Sequence, residues 1–110
     1  MNSGGWDIDM TDEVRRWFDE LNAQELAQAR RALNLIETSG PMTRMPHSRP
    51  LGGLYELRFR CGDVHQRVTY AFLPGKRIIL FTQFRKQRDN ERIHVRRARA
   101  HLDRYLRRQR

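Results

Sequence analysis

The chain has 110 residues, one cysteine, and 22 Lys and Arg against 13 Asp and Glu, for a net charge of +9. That length suits one domain with one core, here residues 6–110 after a disordered start at residues 1–5; the lone Cys61 excludes an internal disulfide, and no CxxC or related spacing suggests a zinc site. The longest apolar run, Ile78 to Phe81, is far too short to span a bilayer, and the start lacks the apolar stretch of a signal peptide, so a cytoplasmic protein with no membrane role is expected.

Trp6, Ile8 and Met10 alternate with Asp7 and Asp9, which is compatible with a short edge strand. Val14, Trp17, Phe18 and Leu21 then fall at helical spacing behind Asp12 and Glu13, where a helix start favours negative charge. Asn22 and Glu25 resemble a capping box, and Leu26, Ala29, Leu33 and Ile36 trace a second apolar stripe that Gly40-Pro41 ends. Together these predict an antiparallel helical hairpin. The proline-rich stretch 41–53 reads as a connector. Beyond it the period changes to two: Tyr55, Leu57, Phe59 and Cys61 point one way, and Leu54, Glu56, Arg58 and Arg60 the other. Gly62-Asp63 is a turn, a second strand runs through Val68, Tyr70 and Phe72, and Pro74-Gly75-Lys76 turns the chain into a third strand, residues 77–84, apolar on both faces. Val95, Ala98, Leu102, Tyr105 and Leu106 return to helical spacing under an arginine-rich face. The expected architecture is α+β, a helical hairpin packed on a small antiparallel sheet of three strands, with a C-terminal helix.

Charge is graded along the chain. Residues 1–40 hold 4 basic and 8 acidic side chains, residues 41–84 hold 7 and 2, and residues 85–110 hold 11 and 3. Twenty of the 22 basic residues are arginine, the side chain suited to bidentate phosphate contacts, so the second half is expected to face a polyanion. Leu, Ile, Val and Phe number only 25, which predicts a thin core helped by a partner.

A two-residue turn at Gly62-Asp63 sets Arg58 opposite Arg67. Like charges facing each other need an offsetting group, and a bound phosphate is the simplest one; a surface ion-pair cluster with Glu56 is the alternative. If the loop at Pro74-Gly75 has an even number of residues, Lys86 shares the face of Arg67. Arginine is a poor general base, which leaves Lys86, Glu56 and His94 as candidates for proton transfer. His47, His65 and His101 read as surface residues, Tyr70 as core and Cys61 as a small filler.

The stretch Gly53-Leu54-Tyr55-Glu56-Leu57-Arg58, followed by Arg67-Val68-Thr69-Tyr70, then Phe84-Arg85-Lys86 and a basic helix with Ala98 and Tyr105, resembles the RelE/ParE superfamily of toxin-antitoxin toxins, and within it the HigB-like, phage-related branch. The similarity runs from Trp6 to Leu106 and rests on order and spacing rather than on one motif. It implies a RelE-like fold and a metal-independent endoribonuclease without a cofactor, cutting mRNA at the ribosome and neutralised by an antitoxin, commonly of the helix-turn-helix, HigA-like kind. The implied chemistry is attack of the RNA 2′-hydroxyl on the adjacent phosphate. Arg67 matches the family's strand arginine, Lys86 the basic residue after the last strand, and Arg58 the end of the Glu-Leu-Arg motif. Arg60, Arg85, Arg88, Arg92, Arg96 and Arg97 are expected to contact RNA. The alternatives are a ParE-like inhibitor of DNA gyrase, which needs no concave cationic patch, and a nucleic-acid-binding module without cleavage.

Overall fold

Thr11 starts the first helix by accepting the Val14 N–H on its side-chain oxygen at 3.4 Å, with Asp12 and Glu13 in the positive first turn. The computed structural model of the chain, which describes residues 5–87 and 91–108, runs β1 (Asp7–Met10), α1 (Asp12–Asp19), α2 (Ala23–Ser39), a short 3₁₀ turn (Gly40–Met42), β2 (Ser48–Pro50), β3 (Tyr55–Cys61), β4 (Val64–Leu73), β5 (Arg77–Arg85) and α3 (Glu91–Arg108). Residues 1–4, within the stretch expected to be disordered, and Arg88 lie outside the described residues. The capping box at the start of α2 is complete: Asn22 Oδ1 accepts the Glu25 N–H at 2.8 Å, and Glu25 Oε1 accepts the Asn22 N–H at 2.9 Å. Asn22→Ala is expected to cost about 1 kcal/mol, read from urea melts at fixed pH.

The five strands form one sheet in the order β1-β5-β4-β3-β2, with β1 parallel to β5 and every other pairing antiparallel. This corrects the expected small antiparallel sheet of three strands to a mixed sheet of five. Alternation marks a strand without fixing its partner, and Trp6 to Met10 finds β5 only after both helices have returned the chain to the sheet. β2 is three residues of a proline-rich connector, too short to show a period.

Helix α1 lies over β5 and α2 over β3, on one face. There Val14, Leu33, Ile36, Leu57, Val68, Tyr70, Ile78 and Leu80 form the larger core. The Tyr70 hydroxyl is satisfied by Ser48 Oγ at 2.5 Å, as a buried phenol requires. Helix α3 covers the other face, where Leu54, Ala71, Leu73, Ile79, Phe81 and Ala98 are buried. With both faces covered, β5 is buried on both sides, which explains its unbroken apolar run.

The turn between β4 and β5 has three residues, Leu73 pairing with Arg77, an odd number that would put Lys86 on the wrong face. A bulge restores the phase. Tyr70 pairs with Leu80 but Thr69 with Thr82, so Phe81 is extra on β5, and from there Arg67 stands opposite Phe84.

Candidate active site

The sheet register lays polar residues in rows on the α3 face, from the first turns of that helix outward. In one row β3 places Arg58 opposite Arg67 of β4, and β4 places Arg67 opposite Phe84 of β5. The Arg58 N–H donates to the His47 carbonyl at 2.8 Å, which adds His47 at the edge. One row toward α3 holds Arg49, Glu56, Thr69 and Thr82. One row away from it, Arg60 faces His65, and the Lys86 N–H donates to the His65 carbonyl at 2.8 Å. Because Arg58 turns its main-chain N–H toward the sheet edge, the Arg58 and Arg67 pair is not hydrogen-bonded, and their side chains leave the backbone close together.

At the centre is a buried pair of opposite charge. Glu56 is 2% exposed and Arg67 4%. Their Oε1 and Nε atoms stand 3.5 Å apart, and Arg58 Nε lies 3.8 Å from the same oxygen. Yet among the described residues neither Glu56 Oε1 nor Arg67 Nε makes a hydrogen bond. An unsatisfied buried polar atom costs about 1–3 kcal/mol, so the pair holds an unused donor and an unused acceptor side by side at that expense. Arg67 Nη1 is fixed by donating to the Gln66 carbonyl at 3.1 Å, which holds the guanidinium in place.

Burial, and then the nearby Glu91 carboxylate, push the Glu56 carboxyl above the usual glutamate range against the pull of Arg67, Arg58 and Arg49. Burial and Arg58 lower the Arg67 guanidinium, which still stays charged at ordinary pH. A carboxyl raised in the folded state lends stability in its protonated form. That contribution is complete below the ordinary glutamate pKa and is lost as pH rises through the raised one. Glu56→Gln, neutral at every pH, should therefore gain stability relative to wild type as pH rises from the ordinary glutamate range through the raised pKa. Urea melts of both proteins at each pH check this; a difference moving against the variant as pH rises contradicts the assignment.

His94, in the first turns of α3, stacks flat on Phe84 with ring centroids 4.6 Å apart. Its Nδ1 meets Arg97 Nη2 at 2.9 Å, and its carbonyl accepts from Thr82 Oγ1 at 3.1 Å. Burial and the Arg97 charge lower its pKa. Arg97 in turn makes a bidentate pair with Glu13, at 2.5 and 3.0 Å, clamping α3 to the start of α1.

Of the residues singled out in the sequence, Glu56, Arg58, Arg67, Arg60 and Lys86 thus share one face, with Lys86 and Arg60 exposed. Arg92 and Arg96 line, with Glu56, Glu91 and Arg49, a cleft of about 480 Å³ between α3 and the sheet. Arg97 is engaged by Glu13. Arg85 points to the opposite face, beside Trp17 and Glu20, and Arg88 is outside the described residues. Missed were Arg49, His47 and His65. With Arg58, Arg60 and Arg67, the two histidines line a second cleft of about 240 Å³. The position of His65 follows from the pairing that sets Arg58 against Arg67; His47 and Arg49 depend on β2, which carries no period.

Among the described residues, no helix is long and apolar enough to cross a membrane. Residues 16–106, which include every member of the array, match a family model described as "Phage derived protein Gp49-like (DUF891)". No curated protein matches the chain.

Proposed function

This chain belongs to the Gp49-like family of phage-derived proteins, and from that membership and its cationic array we propose that it is the toxin of a toxin-antitoxin system. It has a RelE-like fold of the HigB-like branch and acts in the cytoplasm as a metal-independent endoribonuclease on mRNA at the ribosome. The observation that carries the proposal is the charge cluster at the centre of the array, where the partly exposed Arg58 and the buried Arg67 stand 3.8 and 3.5 Å from one oxygen of Glu56. A ribonucleotide presents the complement within one residue: a phosphoryl oxygen that accepts and a 2′-hydroxyl that donates.

In the proposed reaction Glu56 takes the proton of the 2′-hydroxyl, the 2′-oxygen bonds to phosphorus, and the bond from phosphorus to the 5′-oxygen breaks. The products are a 2′,3′-cyclic phosphate and a 5′-hydroxyl, the 5′-oxygen taking its proton from the exposed Lys86. A raised carboxyl suits the base, because its conjugate acid is nearer the working pH. Arg67, held by its bond to the Gln66 carbonyl before the substrate arrives, opposes with Arg58 the charge that grows on the phosphoryl oxygens. Arg49, Arg92 and Arg96 hold the flanking backbone in the cleft that Glu56 lines. The gyrase alternative needs none of this convergence.

The test is primer extension on mRNA incubated with the purified protein, with and without programmed ribosomes, for wild type and Arg67→Ala. Cuts present for wild type and absent for the variant are expected. Identical lanes would sink the catalytic assignment, and efficient cutting of naked RNA would remove the ribosome from it.

A further inference from the structure

One edge of the sheet is only half covered. β2 pairs with residues 55–57 of β3, and the last contact along it is Arg58 N–H to the His47 carbonyl. There the N–H groups of His47 and Ser48 both turn to the Arg44 carbonyl, at 3.1 and 3.2 Å, and the chain leaves the edge. Main-chain groups of Glu56, Arg58, Arg60 and Gly62 alternate outward on this side. Gly62 N–H is taken by Gln28 Oε1 of α2 at 2.6 Å. Between the two, the main-chain N–H and carbonyl of Arg60 make no hydrogen bond to a described residue, which leaves an open window of ladder.

Beside that window a groove of about 570 Å³ runs between α2 and β3, walled by Ala32, Leu35, Leu57 and Phe59. Arg31, Arg58, Arg60 and His47 also line it, and no acidic side chain does. At its His47 end the exposed side chains of Met42 and Met45 continue the apolar surface, Met45 Sδ lying 3.8 Å from Arg58 Nη1. A second copy of the chain is a poor occupant, since edge-to-edge pairing would set the arginines of one copy against those of the other.

We propose that this window and groove receive an extended acidic segment of a partner protein, added as a short sixth strand beside Arg60. Alternate apolar side chains of the segment enter the groove, and its carboxylates, on the other face, meet Arg58 and Arg60, with Arg31 at the groove wall adding to the positive potential that draws an acidic chain. On the function proposed above, that partner is the antitoxin; because the segment occupies Arg58 and Arg60, it withdraws two cations of the array from RNA.

The probe is the synthetic peptide Ac-EVELEVE-amide, titrated into the isotope-labelled full chain and followed by amide NMR and hydrogen exchange. Expected are saturable shifts at Leu35, Phe59 and Arg60, and slowed exchange of the Arg60 amide. Arg31→Glu should weaken binding about tenfold while leaving RNA cleavage unchanged. Shifts confined to α3, equal binding of an all-glutamate peptide, or no saturable binding would each overturn the proposal. A protein that takes the peptide at this edge yet cleaves no RNA would instead overturn the function and leave the docking site standing.

Discussion

Replacing Arg67 by alanine is expected to lower RNA cleavage by about 10²- to 10³-fold, the usual loss when one preorganised donor to a developing oxyanion is removed. The substitution also strips Glu56 of its nearest positive partner, 3.5 Å away, and so drives that buried carboxyl further toward its neutral form. A loss of fold would mimic a loss of chemistry, so Arg67→Lys is the companion variant. It keeps the charge but lacks the Nε–H that stands beside Glu56 Oε1, and it should still lose most of the activity while retaining the far-ultraviolet circular dichroism of wild type. Near-normal cleavage by the folded lysine variant would show that charge suffices and that the donor geometry is idle.

Gly40→Ala is expected to cost about 3 kcal/mol, enough to lower the melting temperature by more than about 10 °C in a domain of this size. Gly40 ends α2 with φ 51° and ψ −133°, a conformation closed to residues with a side chain. A Cβ there would also run into the indole of Trp6. That ring cannot easily yield, because the Trp6 main-chain N–H donates to the Glu37 carbonyl at 3.0 Å and the ring packs edge-on against Phe72 at 5.0 Å. Calorimetric melts of the two proteins measure the difference; a shift of only a degree or two would mean that β1 and its Trp6 are free to move aside.

Local signals in the sequence carried most of the fold. The stripes of α1 and α2 and the box at Asn22 needed only neighbours three and four residues apart, and the Gly62-Asp63 turn fixed the pairing that sets Arg58 against Arg67. What escaped was set by contacts distant in the chain. The parallel pairing of β1 with β5 depends on where two helices deliver the segment, and β2 exists because residues 48–50 meet a strand already formed. Glu56 was visible as a member of the motif, but its burial beside Arg67 was not, since the cover over it comes from α3, 35 residues further on at Glu91.

The extra residue at Phe81 divides β5 into two lengths that obey opposite parity. Between Arg77 and Leu80 the odd positions lie under α3, whereas from Thr82 onward the even ones do. The strand is mechanically continuous yet meets one helix in two phases: its first part lies under the later turns of α3 through Ile79, and its second under the first turns through Thr82 and Phe84. Mutational tolerance along it should change its rhythm in mid-strand.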